Sequence, residues 1–543
     1  MFNVGSYLPE AAEKYPEQTA ILSLYKTDSK KTPSLNFRDL NWYCDAYAHD
    51  FQQKGIGQGT KTVVMVKPGI DFIAVTFALF KIGAVPVLID PGMGRKNMAQ
   101  CILEVEPEAF VGIPLAHLFK FLVRRPFRTI KTSIVVKSWN KQPQVKETPP
   151  FQIAETLETD LAAILFTSGS TGVPKGVLYQ HGNFAAQVKA IQETYKIQPG
   201  ETDIAAFPLF ALFGFAMGTT VVIPDMDPTK PAEVDPRKFV QAIQKYQAAS
   251  SFGSPAIWRR VVPYCIKNNI VLDSITRVLI AGAPVPGWLL MDFQKIIKPE
   301  SETYTPYGAT ESLPVASISG SEVASETWKK TKKGQGICVG KPLAHVEVFI
   351  IKINDGIIRD ISEVEILANG EIGEIIVKGK VVTQGYFNRD KSTKLSKISD
   401  GNSCWHRMGD VGYLDEQGRL WFVGRKDHRV EVSSGKTLYP IQVEALYNNH
   451  PDVFRSALVG LGDKPNQKPL IIIEPEKEKV VFDDKGKAKL EKELRILAEA
   501  FPDDFRMRDM LFHSSFPVDV RHNAKIVREK LAVWAEDRVK KQK

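Results

Sequence analysis

Cysteine is scarce and scattered. Cys44, Cys101, Cys265, Cys338 and Cys404 are the only five in 543 residues, with no C-x-x-C pair and no spacing shared with the histidines. That argues against a disulfide framework or a zinc site and fits a reducing compartment. Long hydrophobic runs are missing as well. The most apolar stretch, Phe72 to Asp90, is interrupted by Lys81, Gly83 and Pro86, and so predicts a helix running into a buried strand, not a membrane span. The N-terminal Met1-Phe2-Asn3-Val4-Gly5 has no charged-then-apolar export pattern, and a soluble, cytoplasmic protein is expected. Neither sign of charge dominates: 71 Lys and Arg stand against 62 Asp and Glu, a net charge of +9. No basic block interleaved with aromatics is present, so a nucleic-acid groove is not expected. Internal repeats and low-complexity tracts are also lacking.

What is present is an ordinary globular composition, 43% hydrophobic and 24% charged, on a chain too long for one core. Helical spacing predicts helices over Ser6–Gln18 and Phe37–Lys54. Strand Thr62–Val66, helix Phe72–Phe80 and strand Val85–Ile89 follow, and this alternation implies parallel α/β layers. A polar, Pro-containing connection is expected from Lys131 to Thr159. The alternation resumes with helix Pro236–Gln247, strand Arg277–Ala281 and helix Pro286–Ile297. Beyond about Lys341 short strands between Gly and Asp turns (Val346–Ile353, Gly373–Val377, Gly418–Val423) predict a β-rich subdomain. The last stretch has an α+β pattern of its own, with a final helix expected from Ala524. A boundary near Arg425–Asp427 divides residues 1–425 from a small domain, 426–543. Leu115–Arg128, rich in Leu, Phe and Arg, reads either as a core helix with a solvated flank or as a contact with a membrane surface.

The chemistry concentrates in five stretches. Thr167-Ser-Gly-Ser-Thr-Gly-Val-Pro-Lys-Gly176 lies between two predicted strands. Its glycines let successive N–H groups converge into an anion nest, its hydroxyls add donors, and Lys175 adds a point charge. It is not a Walker loop, because Pro174 precedes the lysine and Gly176 follows it. A phosphate cradle and a plain polar hairpin turn both remain open for it. Tyr304-Thr-Pro-Tyr-Gly-Ala-Thr-Glu311 reads as a loop after a strand, and a carboxylate such as Glu311 beside phosphates implies a Mg²⁺ ion between them. Its other reading is a helix-initiating Thr/Glu pair. Ala281-Gly-Ala-Pro-Val-Pro286 would let a flat ring approach the backbone. Gly409-Asp410, ahead of Arg425, has the look of a ribose reader. Arg521-His-Asn-Ala-Lys525-Ile is a polar turn with one lysine at the head of the last helix.

In this order the five stretches resemble the adenylate-forming superfamily of acyl-CoA synthetases, luciferases and peptide-synthetase adenylation domains, over essentially the whole chain. The resemblance implies a large N-terminal α/β domain with a β-rich subdomain and a small mobile α+β lid, hinged near Asp427. It implies ATP and Mg²⁺ as cofactors. Thr167, Ser168, Gly169, Ser170, Thr171, Gly172 and Lys175 would hold the β- and γ-phosphates. Gly282, Ala283, Pro284 and Tyr307 would line the adenine, and Gly308 and Ala309 beside Tyr307 would belong to the ATP site. Thr310 would lie near the α-phosphate, Glu311 would bind Mg²⁺, and Asp410 would take the ribose with help from Arg425. Lys525 corresponds to the lysine that the lid swings in for adenylation.

Two departures bear on the second half-reaction. Acyl-CoA synthetases commonly carry Pro-Leu-aromatic-His where this chain has Phe207-Pro-Leu-Phe-Ala211. The usual Ile-Lys-x-x-Gly pantetheine-channel loop becomes Val430-Glu-Val-Ser-Ser-Gly435, one residue longer and with Glu431 for lysine. The stretches Val221–Lys230, Tyr307–Val315 and Phe516–Lys525 are similar to one branch, the β-lactone synthetases of bacterial long-chain olefin biosynthesis. That branch adenylates a 2-alkyl-3-hydroxy fatty acid and lets its own hydroxyl close on the carbonyl. Phe207, Phe210, Ala211 and Phe213, with Phe215, would then line the acyl pocket, each phenylalanine having a plain core reading beside it. His181, His428 and His522 are the candidate bases, each with a structural reading beside it. ATP and a long-chain hydroxy acid are the expected small-molecule partners, and other olefin-pathway enzymes are implied by the resemblance alone. A long-chain acyl-CoA ligase, or a non-catalytic acyl or nucleotide binder, are the other readings.

Overall fold

The computed structural model describes residues 2–25, 32–137, 148–167, 174–477, 479–518 and 526–542. Among them, a six-stranded sheet runs in the order Thr132–Val135, Ala109–Gly112, Lys61–Met65, Val85–Ile89, Leu161–Thr167 and Lys175–Gln180. It is parallel except for the last pair. Parallel strands are covered on both faces, which is why Val85–Ile89 is a continuous apolar run without alternation. Lys81, the charge that breaks the neighbouring apolar helix, is 1% exposed. Its Nζ lies 2.5 Å from Asp45 Oδ1 and 2.6 Å from Asn41 Oδ1 on the helix Phe37–Gln53. A charge buried that deeply persists because it is paired and hydrogen-bonded.

A second sheet of fourteen described strands begins with parallel α/β units and ends in an antiparallel subdomain. Thr202–Ala205, Ser250–Gly253, Arg277–Ile280 and Glu302–Ala309 are parallel neighbours. Glu302–Ala309 then turns back as an antiparallel hairpin with Ser312–Ser319. Ile337–Pro342, Leu420–Arg425, Ser403–Leu414 and Gly373–Lys378 continue the sheet, all antiparallel. The hairpin is thus the seam between the two regimes, and a topological break of this kind opens a crevice at strand ends.

From Val430 onward the chain builds its own small core. The strands Val453–Leu461, Lys468–Pro475 and Met510–Phe512 carry the helices Pro440–Tyr447, Asp484–Ala498 and Arg528–Gln542. Two apolar clusters of this region, one around Tyr447 and Ile473 and one around Leu531 and Ala535, contain only its own residues.

The structure corrects several expectations. Tyr304–Glu311 is not a loop: it is a strand and the tip of a hairpin, because its alternating aromatic and small residues pair across to Ser312–Ser319. The polar connection after Lys131 includes a strand, Thr132–Val135, held by parallel pairing to Ala109–Gly112. The last helix starts at Arg528 and not Ala524, since Ile526 is extended and bridges to Val518. The helix expected over Pro286–Ile297 is limited to Gly287–Phe293. Leu115–Arg128 is only half a core element, because its helix Pro114–Leu122 turns one apolar face to solvent. No helix among the described residues is long and apolar enough to cross a membrane.

Candidate active site

The hairpin tip and the strands beside it frame a cleft of about 2160 Å³. On the hairpin, Ala309 pairs with Ser312, leaving Thr310 and Glu311 as the two-residue turn. Gly308 makes that turn possible: a Cβ there would lie 2.7 Å from the Ser312 carbonyl oxygen. The turn is held from three sides. The Tyr179 hydroxyl donates to the Thr310 carbonyl at 2.5 Å. Thr383 donates its N–H and its hydroxyl to the Glu311 carbonyl, at 2.9 and 3.1 Å. The Tyr386 hydroxyl donates to Glu311 Oε1 at 2.6 Å.

Lys175 begins the strand Lys175–Gln180, and Gly385–Phe387 adds to that strand through Leu178 N–H to Gly385 O and Phe387 N–H to Gly176 O. This places the Lys175 ammonium 5.0 Å from the centre of the Tyr386 ring. Burial, and then the Glu311 charge, push the Tyr386 phenol above its usual range, so it stays a neutral donor.

Asp410 and Arg425 are cross-strand partners in the antiparallel part of the sheet. Arg425 Nη1 donates to Asp410 Oδ1 at 2.7 Å and to the Met408 carbonyl at 3.1 Å. The Tyr307 hydroxyl, from the hairpin, donates to Asp410 Oδ2 at 2.6 Å. Gly409 sits at φ +65°, and a Cβ there would meet Arg425 Nη2 at 3.0 Å. Asp410 is 6% exposed. Its charge holds the Arg425 guanidinium above the ordinary range, against the opposing effect of burial. Burial, then Asp410, raises the Tyr307 phenol well above its own. Each Asp410 oxygen accepts one bond from these partners, and a carboxylate has about four acceptor positions, so capacity for two further hydroxyls remains.

The cleft wall also includes Gly282, Ala283 and Pro284, just beyond the strand Arg277–Ile280, and Ala309 beside Gly308. Its other arm is aromatic. Phe207, Phe210 and Phe213 line it from the helix Pro208–Ala216 and the residue before it. Phe210 stacks on Phe252 with ring centres 3.8 Å apart and planes 11° from parallel. Ala211 and Phe215 do not belong to this wall. Both are fully buried on the core side of the same helix, Phe215 edge-on to Phe77. On an α-helix Ala211 points away from the side chains one residue before it and two after it, which removes it from the acyl-pocket set.

One sequence profile and two relatives decide what this cleft belongs to. The profile of the AMP-binding enzyme family, described as "AMP-binding enzyme", matches residues 8–387. The chain is an AMP-binding enzyme. It is 43% identical to the olefin β-lactone synthetase of Xanthomonas campestris pv. campestris, with 98% of this chain and 97% of that protein covered. To the olefin β-lactone synthetase of Stenotrophomonas maltophilia it is 42% identical, with 99% of each covered. The amide bond synthetase McbA from Marinactinospora thermotolerans shares the fold, with a TM-score of 0.78 at 23% identity over 98% of this chain and 99% of that one. The superfamily resemblance read from the five motifs therefore holds, and ATP is the nucleotide that enzymes of this family use.

Not every residue singled out in the sequence can be placed. Ser168, Gly169, Ser170, Thr171 and Gly172 lie outside the described residues, as do Lys525 and His522; Thr167 closes its strand with its side chain undescribed. Ile526 and Arg528, just after Lys525, do line the cleft. Asp427 sits in the short 3₁₀ turn Lys426–His428 and also lines it. Lys426 bonds Glu374 and the Asn354 carbonyl on the large domain's side, at 3.3 and 2.9 Å. On the other side of Asp427, His428 Nε2 lies 3.0 Å from Glu529 on the last helix. Glu431 faces Arg429 Nε at 2.7 Å. His181 is not a base: its Nδ1 accepts the Val4 N–H at 3.2 Å, and burial pushes its pKa down to about 4.

Three functional-looking residues escaped the sequence reading. Tyr386 and Tyr179 meet the Thr310–Glu311 turn from 75 and 131 positions away in the chain. His406 is buried, lines the cleft, and lies 3.1 Å through Nδ1 from the Ser396 carbonyl, which sets the proton on Nδ1. The only sequence signal was the position of His406 four residues ahead of Asp410.

Proposed function

We propose that this AMP-binding enzyme is a β-lactone synthetase. It adenylates the carboxylate of a long-chain 2-alkyl-3-hydroxy fatty acid, and the acid's own 3-hydroxyl then displaces AMP to close a four-membered lactone. The observation that carries this reading is the continuity of the cleft, from the Asp410–Tyr307–Arg425 cluster past Glu311 to the phenylalanine arm. An acyl adenylate has those two ends, one polar and one apolar. The full-length likeness to two olefin β-lactone synthetases supports it.

In this reading residues 1–425 form the adenylation domain and 426–543 the lid, hinged at Asp427. Asp410 binds the ribose hydroxyls, with Arg425 and Tyr307 fixing its orientation. Gly282, Ala283, Pro284, Tyr307, Gly308 and Ala309 border the adenine. Thr167 to Gly172 and Lys175 hold the β- and γ-phosphates, and Thr310 meets the α-phosphate. The Glu311 carboxylate fits a Mg²⁺ site: Oε1 is oriented by Tyr386, and Oε2 has no hydrogen bond among the described residues. A bound Mg²⁺ would neutralise phosphate charge there. Attack of a carboxylate on an anionic phosphate opposes like charges, so Lys525 is assigned to bridge the two. Ring closure needs no second substrate, since an intramolecular nucleophile can act at an effective molarity on the order of 10⁵ M.

The deciding experiment supplies ATP, Mg²⁺ and a 2-alkyl-3-hydroxy acid without CoA and identifies the products. A β-lactone with AMP and diphosphate is expected. AMP release that requires CoA and yields a thioester would replace this reading with an acyl-CoA ligase. No AMP under either condition would leave a binding protein.

A further inference from the structure

The helix Pro114–Leu122 presents an apolar face that its own domain leaves open. Leu115, Leu118, Phe121 and Leu122 are 67%, 52%, 63% and 70% exposed, while Ala116 and Phe119 pack inward. The spacing i, i+3, i+6, i+7 puts the four on one side of the helix. From Pro114 to Lys137 there is no Asp or Glu, against six lysines and arginines. Arg128 and Lys131 are taken by Glu106 and Glu108. Arg124 and Arg125, at the end of the exposed face, pair with no carboxylate among the described residues. The Arg124 guanidinium lies 4.9 Å from the centre of the Phe121 ring, so charge and apolar surface meet at one level. The helix follows the C-terminal end of the strand Ala109–Gly112, where Ile113 N–H bonds to the Met65 carbonyl, one residue from Val66 of the cleft wall.

We infer that this face docks the enzyme on an anionic phospholipid surface. Convex leucines and a phenylalanine bordered by cations of one sign match an interface of acyl chains below and anionic headgroups above. A protein partner would need a groove of matching shape lined by carboxylates, whereas a bilayer supplies both chemistries without shape. The inference rests on this surface alone and is independent of the lactone reading.

The test is co-sedimentation of the full-length protein with vesicles of mixed phosphatidylglycerol and phosphatidylcholine, compared with phosphatidylcholine alone. Wild type should bind the anionic vesicles, and added salt should weaken the binding. A Leu118→Ser/Phe121→Ser/Leu122→Ser variant should bind about tenfold or more weakly. Arg124→Ala/Arg125→Ala should lose about fivefold per arginine. Both variants should keep the wild-type melting temperature and their ATP-dependent turnover of a detergent-dispersed acid. Equal binding to neutral and anionic vesicles, or none by wild type, would overturn the inference. So would a serine variant that changes molecular mass in light scattering while wild type ignores vesicles, which would make the face a protein interface. Should the serine variant melt early, this face packs on its own chain, and unchanged vesicle binding by the arginine variant then rejects the membrane.

Discussion

The two arms of the cleft are built by different physics. At the polar end, single hydrogen bonds fix single side chains: Tyr307 and Arg425 on Asp410, Tyr386 on Glu311, Tyr179 on the Thr310 carbonyl. At the aromatic end, Phe207, Phe210 and Phe213 are positioned by rings packed against rings. A directional contact fails when one atom is removed, because the partner is left buried and unsatisfied. A packed wall loses area in proportion to what is cut away. The polar arm should therefore tolerate almost nothing, and the apolar arm should respond in graded fashion.

The sharpest break should come from Lys525, the residue proposed to bridge carboxylate and phosphate. Lys525→Ala should reduce adenylation about a thousandfold or more while ATP binding changes little. Pyrophosphate exchange measures the first and equilibrium dialysis the second; exchange near the wild-type rate would remove Lys525 from the reaction. Asp410→Ala should come next, with kcat/KM for ATP down about a hundredfold. It should also destabilise the fold by about 2 kcal/mol, since the Tyr307 hydroxyl loses its acceptor and Arg425 its buried counter-charge. Steady-state kinetics and chemical denaturation read the two effects separately.

A smaller change sharpens the comparison further. Tyr386→Phe keeps the ring under Lys175 and deletes only the bond to Glu311. About a tenfold loss of turnover is expected, with a raised Mg²⁺ requirement and an unchanged KM for the acid. An unaltered Mg²⁺ titration would mean that Tyr386 only supports the hairpin. Phe210→Ala should have the mildest effect on the chemistry. Its loss of the Phe252 stack and of apolar wall should raise KM for long acyl chains severalfold and leave short ones nearly untouched. A chain-length series that shifts uniformly would place Phe210 outside the acyl path.

The polar arm is far more legible in the sequence than the apolar one. Glu311, Asp410, Arg425 and Lys175 each stand in a short motif whose residue types already state a chemistry. Even there, the motif around Tyr307 looks like a loop from its sequence, because nothing local says that Pro306 and Ala309 will pair across a hairpin. The apolar arm was legible only as a supply of phenylalanines. Phe207, Phe210, Ala211, Phe213 and Phe215 are adjacent in sequence, and only the direction of the helix sorts wall from core: Phe215 meets Phe77, and Phe210 meets Phe252. The same limit applies to Leu115–Arg128, whose exposed face depends on how a nine-residue helix packs beside the strand Ala109–Gly112.

Sequence by itself determined the family and the order of layers, and it carries the motifs to which the nucleotide site is assigned, because those reside in local patterns and in spacings of a few residues. Tertiary structure alone decided that Tyr386, Tyr179 and Thr383 hold the Glu311 turn, that Tyr307 serves Asp410, and that Ala211 faces the core. These are contacts between segments tens to more than a hundred residues apart, or choices between two faces of one helix. Local propensity carries no information about either, since both are settled only when whole sheets and helices bury their apolar surfaces against one another.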